Sequence, residues 1–156
     1  MRLYFLRHAH AVPGLDDRSR PLSEKGDAQC RQIARFCRQA GIVFDAAFSS
    51  PLIRARDTAE RVLEITNPSQ PIQFKAVNVL LNETLPREFG AWLGRLPDSG
   101  HVLLVGHAPS LAEHARHVLG MERETSLTLP KAGLLCVSMR EEEQGSLKFM
   151  ISPKVI

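Results

Sequence analysis

Four separated segments of this chain carry residue types suited to holding and attacking a phosphoryl group. They are Arg7-His8-Ala9-His10, Arg20-Pro21-Leu22-Ser23, Ser50-Pro51-Leu52-Ile53-Arg54-Ala55 and Gly106-His107-Ala108-Pro109. A phosphoryl group in transfer spreads charge over its oxygens, so it needs fixed cations, N–H donors and one in-line nucleophile. Arg7, Arg20 and Arg54 supply the cations, and a planar guanidinium fork orients phosphate oxygens where lysine offers only a point charge. His8 is the expected nucleophile: a neutral imidazole nitrogen attacks phosphorus and carries the group until water removes it. The nearby arginines should push its pKa below the ordinary value of about 6.5 and keep the lone pair available. His107 is expected to bond the phosphoryl oxygens from a second strand end, with the helix start at Ser50-Pro51 adding a positive dipole end.

These segments need strands and helices to bring them together, and the sequence supplies them in alternation. Leu3-Tyr4-Phe5-Leu6 runs into Arg7-His8, and Val102-Leu103-Leu104-Val105 runs into Gly106-His107. Short apolar runs that stop at polar residues read as buried parallel strands whose carboxyl ends open into a site, the edge where α/β sheets bind ligands. Ser23 is a plausible N-cap, and Cys30, Ile33, Ala34 and Cys37 recur at helical spacing before Gly41, which predicts a helix over 24–40 with a basic outer face. Arg31, Arg35 and Arg38 on that face read as solvated. Ala46 to Ser49 is a short strand. The next helix, capped by Ser50 with Pro51 at its first position, carries Arg54 in its first turn and turns Ala55, Ala59, Val62 and Leu63 inward. A proline-rich break at 67–71 precedes a short apolar stretch ending near Leu81. Further helices are expected around 87–96, burying Phe89, Trp92, Leu93 and Leu96, and over 110–119, with Leu111, Ala115, Val118 and Leu119 inward. His114 and His117 should line the surface of that last helix. Leu134 to Met139 and Leu147 to Ile151 flank the charged turn Glu141-Glu142-Glu143-Gln144-Gly145 and predict a C-terminal hairpin.

Composition is compatible with this and selects nothing further. The chain has 156 residues, 44% apolar and 24% charged, enough for one globular domain with a real core. No stretch approaches the roughly 20 apolar residues of a membrane span, and the first apolar run is too short for a signal peptide, so a cytoplasmic protein with no membrane partner is expected. The three cysteines are an odd number, and Cys30 and Cys37 would stand about 10 Å apart along a helix, so they read as reduced core residues. A net charge of +3 suits an anionic substrate as well as a nucleic acid. A metal pair at His8 and His10 is disfavoured, because no acidic cluster accompanies it and three arginines repel a cation.

The ordered set Leu6-Arg7-His8, Ser49-Ser50-Pro51-Leu52-Ile53-Arg54-Ala55 with Thr58-Ala59, and Val105-Gly106-His107 resembles the histidine phosphatase superfamily of phosphoglycerate-mutase-like fold. The small size and the Arg20-Pro21-Leu22 segment resemble its short SixA-type phosphohistidine phosphatase branch. The resemblance implies an α/β three-layer sandwich with a mostly parallel central sheet, helices on both faces and a C-terminal hairpin, formed as one domain over 1–156 without a large cap insertion. It also implies a phosphorylated His8, a phosphate pocket of Arg7, Arg54 and His107 with Arg20 nearby, and no metal or other cofactor. The expected partner is a phosphorylated histidine-containing protein domain, the alternative a small phosphate ester. Phosphate, vanadate or tungstate should inhibit, and no nucleic acid is expected. Glu83 is the one candidate for the general acid that ester-hydrolysing relatives use. A phosphate-binding module without turnover is a third reading, disfavoured by the complete set of site residues. Two positions depart from the family pattern: Ala9 follows the nucleophile where glycine is usual, tolerable if its φ stays negative, and His10 stands where an acidic or amide residue is commoner. Asp16-Asp17-Arg18 reads as a mobile loop that could gate the pocket.

Overall fold

The structure, a computed structural model, describes residues 1–122, 126–140 and 144–156. Six strands form one sheet: β1 (Arg2–Arg7), β2 (Ala46–Ser49), β3 (Lys75–Ala76), β4 (His101–Gly106), β5 (Leu134–Ser138) and β6 (Ser146–Ile151), in the order β3-β2-β4-β1-β5-β6. The first four strands in that order run parallel, whereas β5 is antiparallel to β1 and to β6. The expected hairpin is therefore present as the β5–β6 pair, and the expected turn residues Glu141, Glu142 and Glu143 lie outside the described residues. Four helices, α1 (Glu24–Gln39), α2 (Ile53–Thr66), α3 (Pro86–Leu93) and α4 (Ser110–Val118), cover the two faces.

The alternation of side chains along a strand explains the three layers. Tyr4 and Leu6 of β1, with Leu103 and Val105 of β4, pack against Cys30, Ile33 and Cys37 of α1 and Ala55, Ala59 and Val62 of α2. Their neighbours Leu3 and Phe5, with Val102 and Leu104, pack on the other face against Phe89 and Leu93 of α3 and Leu111, Ala115 and Val118 of α4. Strands buried on both faces read as continuous apolar runs, which is why β1 and β4 stood out in the sequence. The three cysteines are free and buried. No helix among the described residues is long and apolar enough to cross a membrane.

Helix ends follow local chemistry. The Ser23 hydroxyl accepts the Gly26 amide at 3.1 Å and starts α1, and Gly41, at φ +66°, closes it in the left-handed conformation that favours glycine. Two expected boundaries move. Helix α3 stops at Leu93 because Gly94 ends it, so Leu96 packs on the core from outside the helix. Helix α2 starts at Ile53 with Leu52 as its cap, two residues later than expected, because the Ser50 hydroxyl is engaged elsewhere.

The clearest departure is His114, expected on the surface and found fully buried. Its position explains this: 111, 114, 115 and 118 form one i, i+3, i+4, i+7 stripe, so His114 shares the core face with Leu111, Ala115 and Val118. The ring stacks on Phe89 with centroids 4.4 Å apart and planes within 4°. Neither ring nitrogen has a hydrogen-bond partner of good geometry. Burial, and then the His117 charge, push its pKa down to about 4, while the nearby Val79 backbone offsets part of the effect. The unfolded chain would protonate this ring near 6.5, so its contribution to stability is intact above that pH and is lost as pH falls toward 4. We predict that His114→Leu flattens the loss of stability between about pH 6.5 and 4.5 relative to wild type, by up to about 1.4 kcal/mol per pH unit. Denaturant melts over that range measure it, and an unchanged slope would show that His114 does not titrate on unfolding.

Candidate active site

The site lies at the carboxyl ends of β1 and β4, where the paired register sets Arg7 beside Gly106. One residue further, the His8 amide bonds the Gly106 carbonyl at 3.0 Å, so His8 and His107 leave the sheet side by side, with ring centroids 5.1 Å apart. His8 is 7% exposed and His107 4%. With the rings almost out of water, desolvation is the largest cause of the fall in the His8 pKa to about 3, with His107, Arg54 and Arg7 adding to it and the Ala9 backbone opposing it. The arginines therefore contribute in the expected direction, but burial leads.

Hydrogen bonds fix the His8 tautomer. Its Nδ1 stands 2.8 Å from the Ala9 carbonyl, which can only accept, so Nδ1 carries the proton. Nε2 faces the Nε–H of Arg54 across a long 3.4 Å contact, and an unprotonated nitrogen is the one that can accept it. The ring thus presents an Nε2 lone pair to the arginine. Arg54 is itself only 7% exposed, in the first turn of α2 as expected. The Ala9 amide donates to Thr58 Oγ1 at 3.0 Å, and Thr58 Oγ1 donates to the Arg54 carbonyl at 2.7 Å, so α2 pins the backbone that follows His8. Ala9 is not among the positive-φ residues, so the backbone accepts it in place of glycine.

His107 sits at the start of α4, whose Leu111 amide donates to the His107 carbonyl at 2.8 Å. Its Nε2 shares a 2.6 Å hydrogen bond with Ser50 Oγ, a role the sequence reading missed by assigning Ser50 to the helix cap. The hydroxyl keeps a weaker local role, accepting the Leu52 amide at 3.3 Å. His107 is pushed down to about 4, mainly by burial and then by Arg54. Its Nδ1 is buried without a partner, and so is Nε of Arg7, whose Nη1 donates to the Leu129 carbonyl at 2.9 Å. Two orphaned polar atoms on residues flanking one histidine fit a place where an anion is held.

Asp17, read as part of a mobile gating segment, is the other missed participant. Residues Asp17–Ser19 form a 3₁₀ turn capped by Asp16, which accepts from the Arg18 amide and the Ser19 hydroxyl. The Asp17 carboxylate meets Arg54 at 3.1 Å and Arg20 at 3.0 Å, and its carbonyl accepts from Arg54 Nη1 at 2.6 Å. Arg20, expected to bind phosphate, bonds Asp17 and the Val12 carbonyl, and Asp17 links it to Arg54. Glu83 is exposed and makes no hydrogen bond or ion pair among the described residues. Its neighbour Asn82 accepts the Ser110 amide at 3.1 Å, which sets that loop beside the turn after His107. His10 turns its Nδ1 to Ser23 Oγ at 2.7 Å. No group of three or more histidine, cysteine or acidic side chains among the described residues is arranged to hold a metal.

A histidine follows each of the adjacent parallel strands β1 and β4, with Arg7 and Arg54 beside them, and the whole sandwich has the phosphoglycerate-mutase-like fold of the solved structures it matches. Residues 3–97 match the histidine phosphatase superfamily (branch 1), and the chain belongs to that family. An uncharacterised protein of Picosynechococcus is 32% identical over 169 residues, an alignment covering 99% of this chain and 98% of that protein. The chain is similar in fold to the protein histidine phosphatase SixA, solved with tungstate, at a TM-score of 0.89 and 22% identity over 99% of this chain and 98% of that one. It is also similar to the α-ribazole phosphatase of Shigella flexneri, at a TM-score of 0.78 and 18% identity over 98% and 97% of the two chains.

The tautomer and burial of His8 generate a direct prediction. In nitrogen-detected imidazole spectra, His8 should remain neutral, with its proton on Nδ1, from pH 8 down to about pH 5. A titration midpoint near 6.5 would mean that the ring is solvated.

Proposed function

We propose that this protein is a phosphatase that removes the phosphoryl group from phosphohistidine on a signalling protein, through a covalent phosphate on His8. The observation that carries this reading is the buried His8 ring with Nδ1 tied to the Ala9 carbonyl and Nε2 turned to Arg54. In the first step Nε2 attacks phosphorus in line with the leaving nitrogen: the Nε2–P bond forms, the substrate P–N bond breaks, and the departing imidazole keeps that electron pair and takes a proton from solvent water. In the second, water attacks the phosphorus, its proton is lost, and Nε2 recovers its lone pair as phosphate departs. Arg7, Arg54 and His107 hold the equatorial oxygens throughout, which is electrostatic stabilisation by donors fixed in advance. The positive ends of α2 and α4 add to it. We assign Arg20 to the second rank, since it acts through Asp17.

Three features support the substrate class. Between Thr58 and His101 the chain adds only the rest of α2, the two-residue β3, a 3₁₀ turn and the eight-residue α3, which leaves little to cap the pocket against a protein surface. The likeness in fold and length to the protein histidine phosphatase SixA points the same way. An imidazole nitrogen leaves phosphorus more readily than an alkoxide and needs less help from an acid, which agrees with Glu83 standing exposed and unengaged. The test is one variant on two substrates: Glu83→Gln, assayed on a phosphorylated histidine-containing transfer domain and on a panel of phosphate esters. We expect the phosphodomain to be the better wild-type substrate and the variant to turn it over almost unimpaired, while any ester reaction served by Glu83 falls by about 10²-fold or more. Esters turned over much faster than the phosphodomain by wild type, or equal losses on both, would favour a small-molecule phosphomonoesterase.

A further inference from the structure

The site residues do not account for a group of cations on one side of the pocket. Lys131 belongs to the segment 129–133, which is anchored to the nucleophile strand at three points: Ala132 donates to the His8 carbonyl at 3.3 Å, the Gly133 carbonyl accepts the Arg7 amide at 3.1 Å, and the Leu129 carbonyl accepts Arg7 Nη1. Ala132 takes φ +54°, a left-handed backbone uncommon for alanine, so this segment is held in a strained shape next to the site. Facing it, the His10 ring is bonded to Ser23, the cap of α1, and Gly26 lies so close to the His10 carbonyl that a Cβ there would collide with it. Lys25 lies in the first turn of α1, and its charge acts on His10.

Basic side chains predominate in this neighbourhood, with the Asp17 carboxylate bonded to Arg20 and Arg54. Burial and then the charges of Arg7, Arg20, Lys25 and Arg54 push the Lys131 ammonium below its ordinary pKa. Burial, then Lys131, Lys25 and Arg20, do the same to His10. Asp17 serves Arg20 and Arg54, and among the described residues no carboxylate forms an ion pair with Lys25 or Lys131. Lys25 and Lys131, without such a counter-charge, repel one another and focus a positive field on whatever approaches. In the loop that leads to Asp17 and Arg20, Leu15 is fully exposed, an apolar tip. A small ester in the pocket has nothing to lay against that tip. A protein surface does, and a mixed apolar and charged contact is the ordinary make-up of a transient interface.

Building on the phosphohistidine reading above, we propose that Lys131 and Lys25 form a docking surface beside the phosphate pocket that engages carboxylates on the protein presenting the phosphorylated histidine. Rim charges of this kind act on encounter and are screened by salt. The experiment compares wild type with Lys25→Glu, Lys131→Glu and the double variant on three substrates. These are a phosphorylated histidine-containing domain with acidic residues around its histidine, phosphoramidate, which keeps the P–N bond without carboxylates, and phosphoserine, a small ester with one. Lys25→Glu is a safe variant for folding, because an acid in the first turn of a helix suits its dipole.

We expect the double variant to lose roughly 30-fold more kcat/KM on the phosphodomain than on phosphoramidate at about 0.05 M salt, a gap that closes at about 0.5 M. Wild-type turnover of the phosphodomain and phosphoramidate establishes the phosphohistidine reading independently of the variants. Against that background, equal losses on both substrates, or a selective loss on phosphoserine alone, overturn the docking surface. Failure of wild type to turn over the phosphodomain overturns the phosphohistidine reading and the docking surface with it.

Discussion

The rest of the site depends on the hydrogen bond from His8 Nδ1–H to the Ala9 carbonyl. A neutral imidazole has one donor and one acceptor nitrogen, and this bond decides which is which. It leaves the lone pair on Nε2, facing Arg54, and burial keeps a proton from occupying it. A charged guanidinium beside a nitrogen that must stay unprotonated serves two ends: it disfavours the imidazolium, and it supplies an oriented donor for an anion bound there.

The surrounding structure can be understood as support for that one ring. The sheet register carries His8 and His107 off adjacent strands. Thr58 ties the Ala9 amide to α2, so the carbonyl that fixes the tautomer and the arginine that faces Nε2 are positioned by the same helix. Ser50 fixes the second histidine by a 2.6 Å bond to its Nε2. Asp17 is bonded to the Arg54 fork by its carboxylate and its carbonyl. On the proposed reading, an incoming phosphate competes with that carboxylate for the arginine.

Much of this was legible in the sequence, for physical reasons that differ from residue to residue. The strands β1 and β4 were readable because burial on both faces leaves an uninterrupted apolar run, and α1 because one face only is buried and Ser23 and Gly41 mark its ends. The grouping of Arg7, His8, Arg54 and His107 followed from motif order. What was not legible involves choices between partners. Ser50 can cap a helix or bond a histidine, and only the fold brings His107 within reach. Asp17 was placed in a loop, but its pairing with Arg54 is a contact between residues 37 apart in the chain. His114 was misread because a histidine was taken as polar, although its position on the Leu111–Ala115–Val118 stripe already placed it inside.

The central claim is that phosphate passes through Nε2 of His8, and the most direct test identifies the atom that carries it. Protein quenched during turnover and examined by phosphorus-coupled NMR, under alkaline conditions that preserve phosphohistidine, should show one phosphorylated imidazole, at His8, with phosphorus bonded to Nε2. Phosphate on Nδ1 of His8 would contradict the tautomer fixed by the Ala9 carbonyl, and phosphate on any other residue would contradict the assignment of the nucleophile.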